Sequence, residues 1–278
     1  QEAAMNWIIR NEIDIACWQE IGIAWHKIRY KDRLLRRLKC QPWQNPRIIT
    51  SNNQHEPMST SQPGGTATMT FGTISNTTNG TGKDPSGLGR WSWIKLTGKR
   101  GVSTIITTAY NPCQSKISRP KTVYAQQKRY WLSRKIDTCP REMLRRDLSK
   151  FLTNCSEKGH NIVLCIDLNE DTNRSNGPLY QTLIHENNLI DALKSKHKQP
   201  SPPTFENGSK TIDAIFISSQ LNSIHRAGWL GFGQGVGDHR IAYIDINATC
   251  LINKDKQDIV PINARRLQID KEQCMKKY

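Results

Sequence analysis

The residues in this chain best placed to do chemistry sit in four polar tripeptides, each adjoining an apolar run. Trp18-Gln19-Glu20 follows Ile13-Asp14-Ile15-Ala16-Cys17, and Asp167-Leu168-Asn169 follows Ile162-Val163-Leu164-Cys165-Ile166. Thr211-Ile212-Asp213 precedes Ala214-Ile215-Phe216-Ile217, and Gly237-Asp238-His239 precedes Ile241-Ala242-Tyr243-Ile244. Short β-branched runs read as buried strands, so three carboxylates and an Asp-His pair fall where strands begin or end. Glu20 is a hard oxygen ligand in such a place, suited to Mg2+, which keeps several waters and binds through one or two carboxylates. The alternative for Glu20 is a surface carboxylate. Asp167 and Asn169 alternate along an extended segment, so both side chains can face a single pocket. The alternative there is an Asx turn, which Asp-x-Asn makes readily. His239 reads as a site residue or as a capped loop histidine.

Such positions need a scaffold. Strands are expected over residues 66–71, 90–96 and 103–110, with polar loops over 51–65 and 72–90 rich in Ser, Thr, Asn, Gly and Pro. Helices are expected over 121–136 and 141–155, then the strand at Ile162, a short helix near 178–186, and strands around Thr211, Ile224 and Ile241. Strands early, helices in the middle and strands late argue a mixed α/β sandwich rather than an alternating parallel sheet. Residues 1–12 read as an amphipathic helix with Ala4, Trp7 and Ile8 on one face, already under way at the first residue and without an initiating Met, so a fragment is expected. The basic stretch 27–39, with Leu34, Leu35 and Leu38 at helical spacing, is either a solvated face or a nucleic-acid contact.

Forty Lys and Arg against twenty-four Asp and Glu leave a net charge of +16, and the hydrophobic fraction of 36% suffices for a core. That balance points to a polyanionic partner, with a merely soluble basic protein as the alternative, and nucleic acid fits better than a membrane because no run approaches the ~20 apolar residues of a span. The eight cysteines show neither zinc-site spacing nor a compact disulfide framework, and Cys17 and Cys165 read as small buried hydrophobes. An intracellular, reducing compartment is expected.

Glu20 after its strand, Gly64-Gly65 before the next, Tyr110-Asn111-Pro112, Asp167-Leu168-Asn169, Asp213 and Asp238-His239 occur in the order seen in the endonuclease/exonuclease/phosphatase superfamily, which the chain resembles over residues 1–250. Within it, the chain looks most like the endonuclease domain of non-LTR retrotransposons, partly through Tyr110-Asn111-Pro112-Cys113. The resemblance implies a DNase I-like four-layered α/β sandwich, two packed mixed β-sheets flanked by helices, with the family's N-terminal strand missing before Gln1. Residues 251–278 are then a basic linker towards a downstream domain, which the resemblance implies is a reverse transcriptase in the full-length protein.

By the same resemblance, Asp167 orients and deprotonates the attacking water, and Asn169 holds a phosphate oxygen or that water. Asp213 pairs with His239 to keep an imidazolium beside the scissile phosphate. Tyr110 contacts phosphate, and Glu20 and Asp238 bind Mg2+, with Mn2+ as the substitute. Two departures stand out. Gly237 replaces the usual Ser, and Cys113 replaces an Asn whose amide both donates and accepts. The function implied is a metal-dependent endonuclease nicking chromosomal DNA in the nucleus for retrotransposition. Two alternatives stay open: an inactive nucleic-acid-binding remnant, and a phosphatase of the same fold. With its first strand absent, the chain itself is expected to be weakly active or inactive.

Overall fold

The computed structural model describes residues 2–29, 32–39, 45–55, 60–114, 119–235 and 237–253. The Ala4 side chain, part of the basic stretch 27–39 and the tail 254–278 lie outside them. In chain order the elements are α1 (Glu2–Arg10), β1 (Ile15–Gln19), α2 (Leu34–Lys39), β2 (Arg47–Ser51), β3 (Thr66–Thr70), β4 (Thr78–Lys83), β5 (Trp91–Thr97) and β6 (Ser103–Tyr110). There follow α3 (Val123–Ser133), α4 (Pro140–Glu157), β7 (Asn161–Asp167), α5 (Pro178–Gln181), β8 (Leu189–Asp191), α6 (Ala192–His197), β9 (Asp213–Ser218), β10 (Ile224–Trp229), β11 (Ala242–Ile246) and α7 (Ala248–Ile252).

Alternation within the strands builds the layers. In β7, Ile162, Leu164 and Ile166 turn one way to meet Leu144, Leu148 and Leu152, spaced four apart on α4. Val163 and Cys165 turn the other way, towards Ile15, Cys17 and Ile49. A six-stranded mixed sheet, β4-β5-β6-β7-β9-β8, therefore has helices on one face and smaller sheets on the other. Those are the antiparallel three-stranded sheet β1-β3-β2 and the β10-β11 pair. Beyond the three-stranded sheet, Ile8 of α1, Trp25 and Leu34 cover Ala16, Ala67 and Met69. The four layers are thus helix, sheet, sheet, helix. The expectation of two mixed sheets is refined, because parallel pairing occurs only between β6 and β7 among the described strands.

The seam between the sheets is partly polar. β3 buries Thr66, Thr68 and Thr70 on its inner face, and the Thr68 hydroxyl lies 2.9 Å from Ser92 Oγ and 2.8 Å from Thr108 Oγ1. Thr68→Val keeps the shape but strips partners from two buried hydroxyls. A loss of about 1–3 kcal/mol is expected, read as a lower urea midpoint at unchanged slope.

Three expectations change. The polar segment 72–90 contains β4, which hides because Gly82 sits opposite Trp93, whose indole occupies the space a Cβ would need, 2.5 Å away. β2 and β8 also fall outside the runs read as strands. The core runs past the expected boundary at residue 250: Leu251 and Ile252 of α7 are buried between the sheets, and the Thr104 hydroxyl donates to the Leu251 carbonyl at 2.6 Å. No helix among the described residues is long and apolar enough to cross a membrane.

Candidate active site

Strand register assembles the site. Tyr110 is level with Asp167 across the parallel β6-β7 pair, and Asp167 is level with Asp213 across the antiparallel β7-β9 pair. Level residues on neighbouring strands point to the same face. All three side chains thus share one row, in phase with Thr108, Cys165 and Ile215, which face the smaller sheets. The row ends the inter-sheet seam. Glu20 reaches it from the other sheet, just beyond β1, where the Gln19 amide donates to the Cys165 carbonyl at 3.2 Å.

His239 arrives on a loop pinned to residues 204–206. The Arg240 amide donates to Thr204 and Glu206 donates to Asp238, at 2.8 and 2.9 Å, and Phe205 packs 5.2 Å from the imidazole. Gly237 just before it has φ +97°, a backbone that L side chains rarely adopt, which accounts for glycine where the resemblance expects serine. His239 Nδ1 donates to Asp213 Oδ2 at 2.9 Å. Burial opposes charging the ring, but that bond and the charges of Asp213, Asp167 and Asp238 outweigh it and raise the pKa to about 9.

Asp167 is 3% exposed, and burial, with the carboxylates of Asp213 and Glu20, holds its carboxyl well above the usual range. His239 and the Asn169 amide, which donates to Asp167 Oδ1 at 2.8 Å, act against that shift. Tyr110 is likewise buried, and burial followed by the nearby Glu20 charge raises its pKa. The Glu20 carboxylate and the Cys113 backbone both lie near its hydroxyl, so Cys113 meets the site even though its thiol cannot stand in for an amide.

Asn169 departs from expectation. It does not extend the strand; its φ is +49°, and its amide and the Asp167 carboxylate close an Asx turn. Its side-chain Nδ2 donates to the Asn111 carbonyl at 2.7 Å, leaving its Oδ1 and a second hydrogen to offer. Ligand atoms of Asp167, Asp213 and His239 come within 4.8 Å of one another. Glu20 joins through Tyr110, whereas Asp238 is exposed beside His239 and outside that cluster.

Three carboxylates against one imidazole leave negative charge in excess, and the uncommitted donors are oxygens. That donor set fits a hard divalent cation such as Mg2+ or Mn2+. Thr204 and Phe205 escape a reading of the sequence because they act through backbone groups and packing, which leave no spacing pattern.

The charge state of His239 is testable. A folded pKa of about 9 lies above the unfolded ~6.5, so the pair's stabilisation is complete below ~6.5 and is lost as pH rises through 9. Activity that needs the imidazolium should show an alkaline limb near that value. In Asp213→Asn the limb should move down towards ~6.5 or below, since burial remains and a carboxylate is gone. A pH-rate profile with NMR titration of the ring reads both, and an unmoved limb would reject the pairing as its cause.

No family model matches the sequence, and no curated protein does. Solved structures share the fold. The 3'-5' exonuclease NExo from Neisseria meningitidis aligns with a TM-score of 0.60 at 14% identity, covering 87% of this chain and 92% of that one. An endonuclease/exonuclease/phosphatase family protein from Leptotrichia buccalis aligns at 0.56 and 16%, covering 88% and 94%. An AP endonuclease from Archaeoglobus fulgidus aligns at 0.55 and 16%, covering 88% and 93%. At these identities the likeness is one of fold.

Proposed function

We propose that this chain, which has the endonuclease/exonuclease/phosphatase fold, is a divalent-cation-dependent phosphodiester hydrolase that nicks DNA. The observation that carries the reading is the Asp213-His239 pair at 2.9 Å beside the buried Asp167, in register with Tyr110 at the end of the sheet sandwich.

Asp167 orients the attacking water and takes its proton. A carboxylate raised above its ordinary range is the better base, and such catalysis contributes ~10²–10⁴-fold. The Asn169 side-chain carboxamide holds a phosphate oxygen or the water in line through its Oδ1 or its second Nδ2 hydrogen. His239, kept charged by Asp213, donates to the oxyanion that develops on phosphorus, the preorganised stabilisation that supplies a large catalytic term. Tyr110, kept as a neutral donor, completes the phosphate contacts. Glu20 would hold Mg2+ beside Asp167, and the bound ion would supply Lewis-acid neutralisation of phosphate charge.

The +16 charge supports DNA as the substrate, since a basic protein gains affinity for a polyanion by counterion release. The Tyr110-Asn111-Pro112-Cys113 variant supports the finer reading: a retrotransposon endonuclease that leaves a 3′-hydroxyl for a reverse transcriptase, acting on chromosomal DNA in the nucleus.

Supercoiled plasmid incubated with the full-length protein and Mg2+ should relax to open circles, and excess EDTA should stop it. Log affinity for duplex should fall against log salt with a slope of about −0.9 per phosphate contact. Plasmid left closed under all metals would reject hydrolysis, and a flat salt response would move the substrate from a long polyanion to a small phosphorylated molecule.

A further inference from the structure

Resting on the hydrolase reading above, we propose that Arg141 is a positioning residue of the site: from the first turn of α4 it holds the turns after β6 and β7 in one arrangement, so that Tyr110, Asp167 and Asn169 face the same phosphate.

The guanidinium touches no catalytic side chain. Its Nη1 donates to the Pro112 carbonyl at 3.1 Å, two residues beyond Tyr110. Its Nη2 is shared among the carbonyls of Leu168 and Asn169, at 3.4 and 3.3 Å, and Glu170 Oε1 at 3.1 Å. One planar fork thus spans the exits of two neighbouring strands, a geometry that an ammonium cannot reproduce. Glu170 is 8% exposed and accepts in turn from the Leu179 and Tyr180 amides, so the clamp is anchored on α5 as well as α4.

The turns it joins are already laced together. The Asn111 amide donates to the Asp167 carbonyl at 2.9 Å, Asn111 Nδ2 donates to Leu168 at 2.6 Å, and Asn169 Nδ2 returns to the Asn111 carbonyl at 2.7 Å. This lacing holds Asn169 left-handed, a conformation that asparagine tolerates but that its surroundings must select. Arg141 supplies that determination from the helix side, through the Leu168 and Asn169 carbonyls. The Asn169 amide bond to Asp167 then fixes the carboxylate, so a shift of the turn moves base and amide together.

The test compares Arg141→Ala and Arg141→Lys with the wild type. Single-turnover nicking should fall about 10- to 100-fold in Arg141→Ala, the scale on which a displacement near 1 Å acts. KM, duplex affinity and the salt slope should stay within about twofold, because no phosphate contact is lost. Millimolar guanidinium should restore part of the rate in Arg141→Ala, whereas Arg141→Lys should remain impaired for want of the fork. Hydrogen exchange supplies a readout independent of activity: protection of the Asn111 and Asn169 amides should drop while that of α4 stays. Unchanged exchange at both amides, or a unit fall in salt slope marking a direct phosphate contact, overturns the proposal. A wild-type full-length protein that fails to nick overturns the hydrolase reading instead, and the exchange comparison still decides whether Arg141 holds the two turns.

Discussion

Asp167→Asn is expected to lose nicking by about 10²–10⁴-fold while the folded protein becomes more resistant to heat at neutral pH. The two effects have one origin. Asp167 is buried with two other carboxylates nearby, and its folded pKa lies well above the unfolded ~3.9. A raised carboxyl stabilises the fold where it is protonated and costs stability as pH rises through its folded value. Keeping that carboxyl buried therefore costs the native state stability at neutral pH, where the unfolded chain's carboxylate is ionised, and a neutral amide of the same shape removes the cost. Charge held against its preference for catalysis is a recurrent source of trade-off between stability and activity. The melting temperature should rise in Asp167→Asn, and the increment that Mg2+ adds to the wild type should shrink, since binding to the native state alone stabilises by mass action. A variant that keeps nicking, or that melts lower at neutral pH with Mg2+ gains intact, would mean Asp167 is a structural acid.

Asp84→Ala is expected to be the most damaging single change to the fold, at about 3–5 kcal/mol, because it leaves a buried guanidinium without its main partner. Arg90 and Asp84 have side chains 1% and 0% exposed, joined at 2.7 Å through Nε and at 2.9 Å through Nη2. Asp147 of α4 adds a contact at 3.0 Å, and the guanidinium lies 4.8 Å from the Trp91 ring and 5.8 Å from Trp131. The cluster fastens the β4-β5 connection to the helical layer. Burial acts against the Asp84 charge, but the bonds and charge of Arg90 overcome it and lower the pKa. Its stabilisation is therefore present above the unfolded ~3.9 and is lost as pH falls through the lower folded value. The melting temperature should drop by roughly 6–12 °C at neutral pH, and the gap should narrow in acid. Replacing the pair together, Asp84→Leu with Arg90→Met, should cost less than Asp84→Ala alone. Equal losses would place the energy in packing rather than in the ion pair.

Much of the scaffold is legible in the sequence, for identifiable reasons. β6, expected over residues 103–110, occupies Ser103–Tyr110, and α4 shows its buried stripe at Leu144, Leu148 and Leu152, because unbroken apolar runs and four-residue spacing survive in any tertiary setting. β4 does not, because Gly82 gave up its side chain to the indole of Trp93, a partner invisible until the strands pair. The Asp167-Leu168-Asn169 tripeptide marks the site but misleads on local geometry. Alternation predicts two parallel side chains, and the Asx turn wins through the hydrogen bond from the Asn169 amide. Arg141 is one of many arginines along the helices, and nothing near it in sequence says that its fork reaches carbonyls some 27 residues away.

What the sequence by itself determined is the supply of chemistry: carboxylates, amide, phenol and imidazole placed at the ends of apolar runs that must become strands. Those placements follow from local periodicity, which the order of residues carries. Only the tertiary structure decided how the supply is used. It set Tyr110, Asp167 and Asp213 level across three strands and brought Asp213, rather than the adjoining Asp238, onto His239. The reason is physical: side-chain direction is fixed by register across a sheet, and charge state by burial and by neighbours distant in the chain.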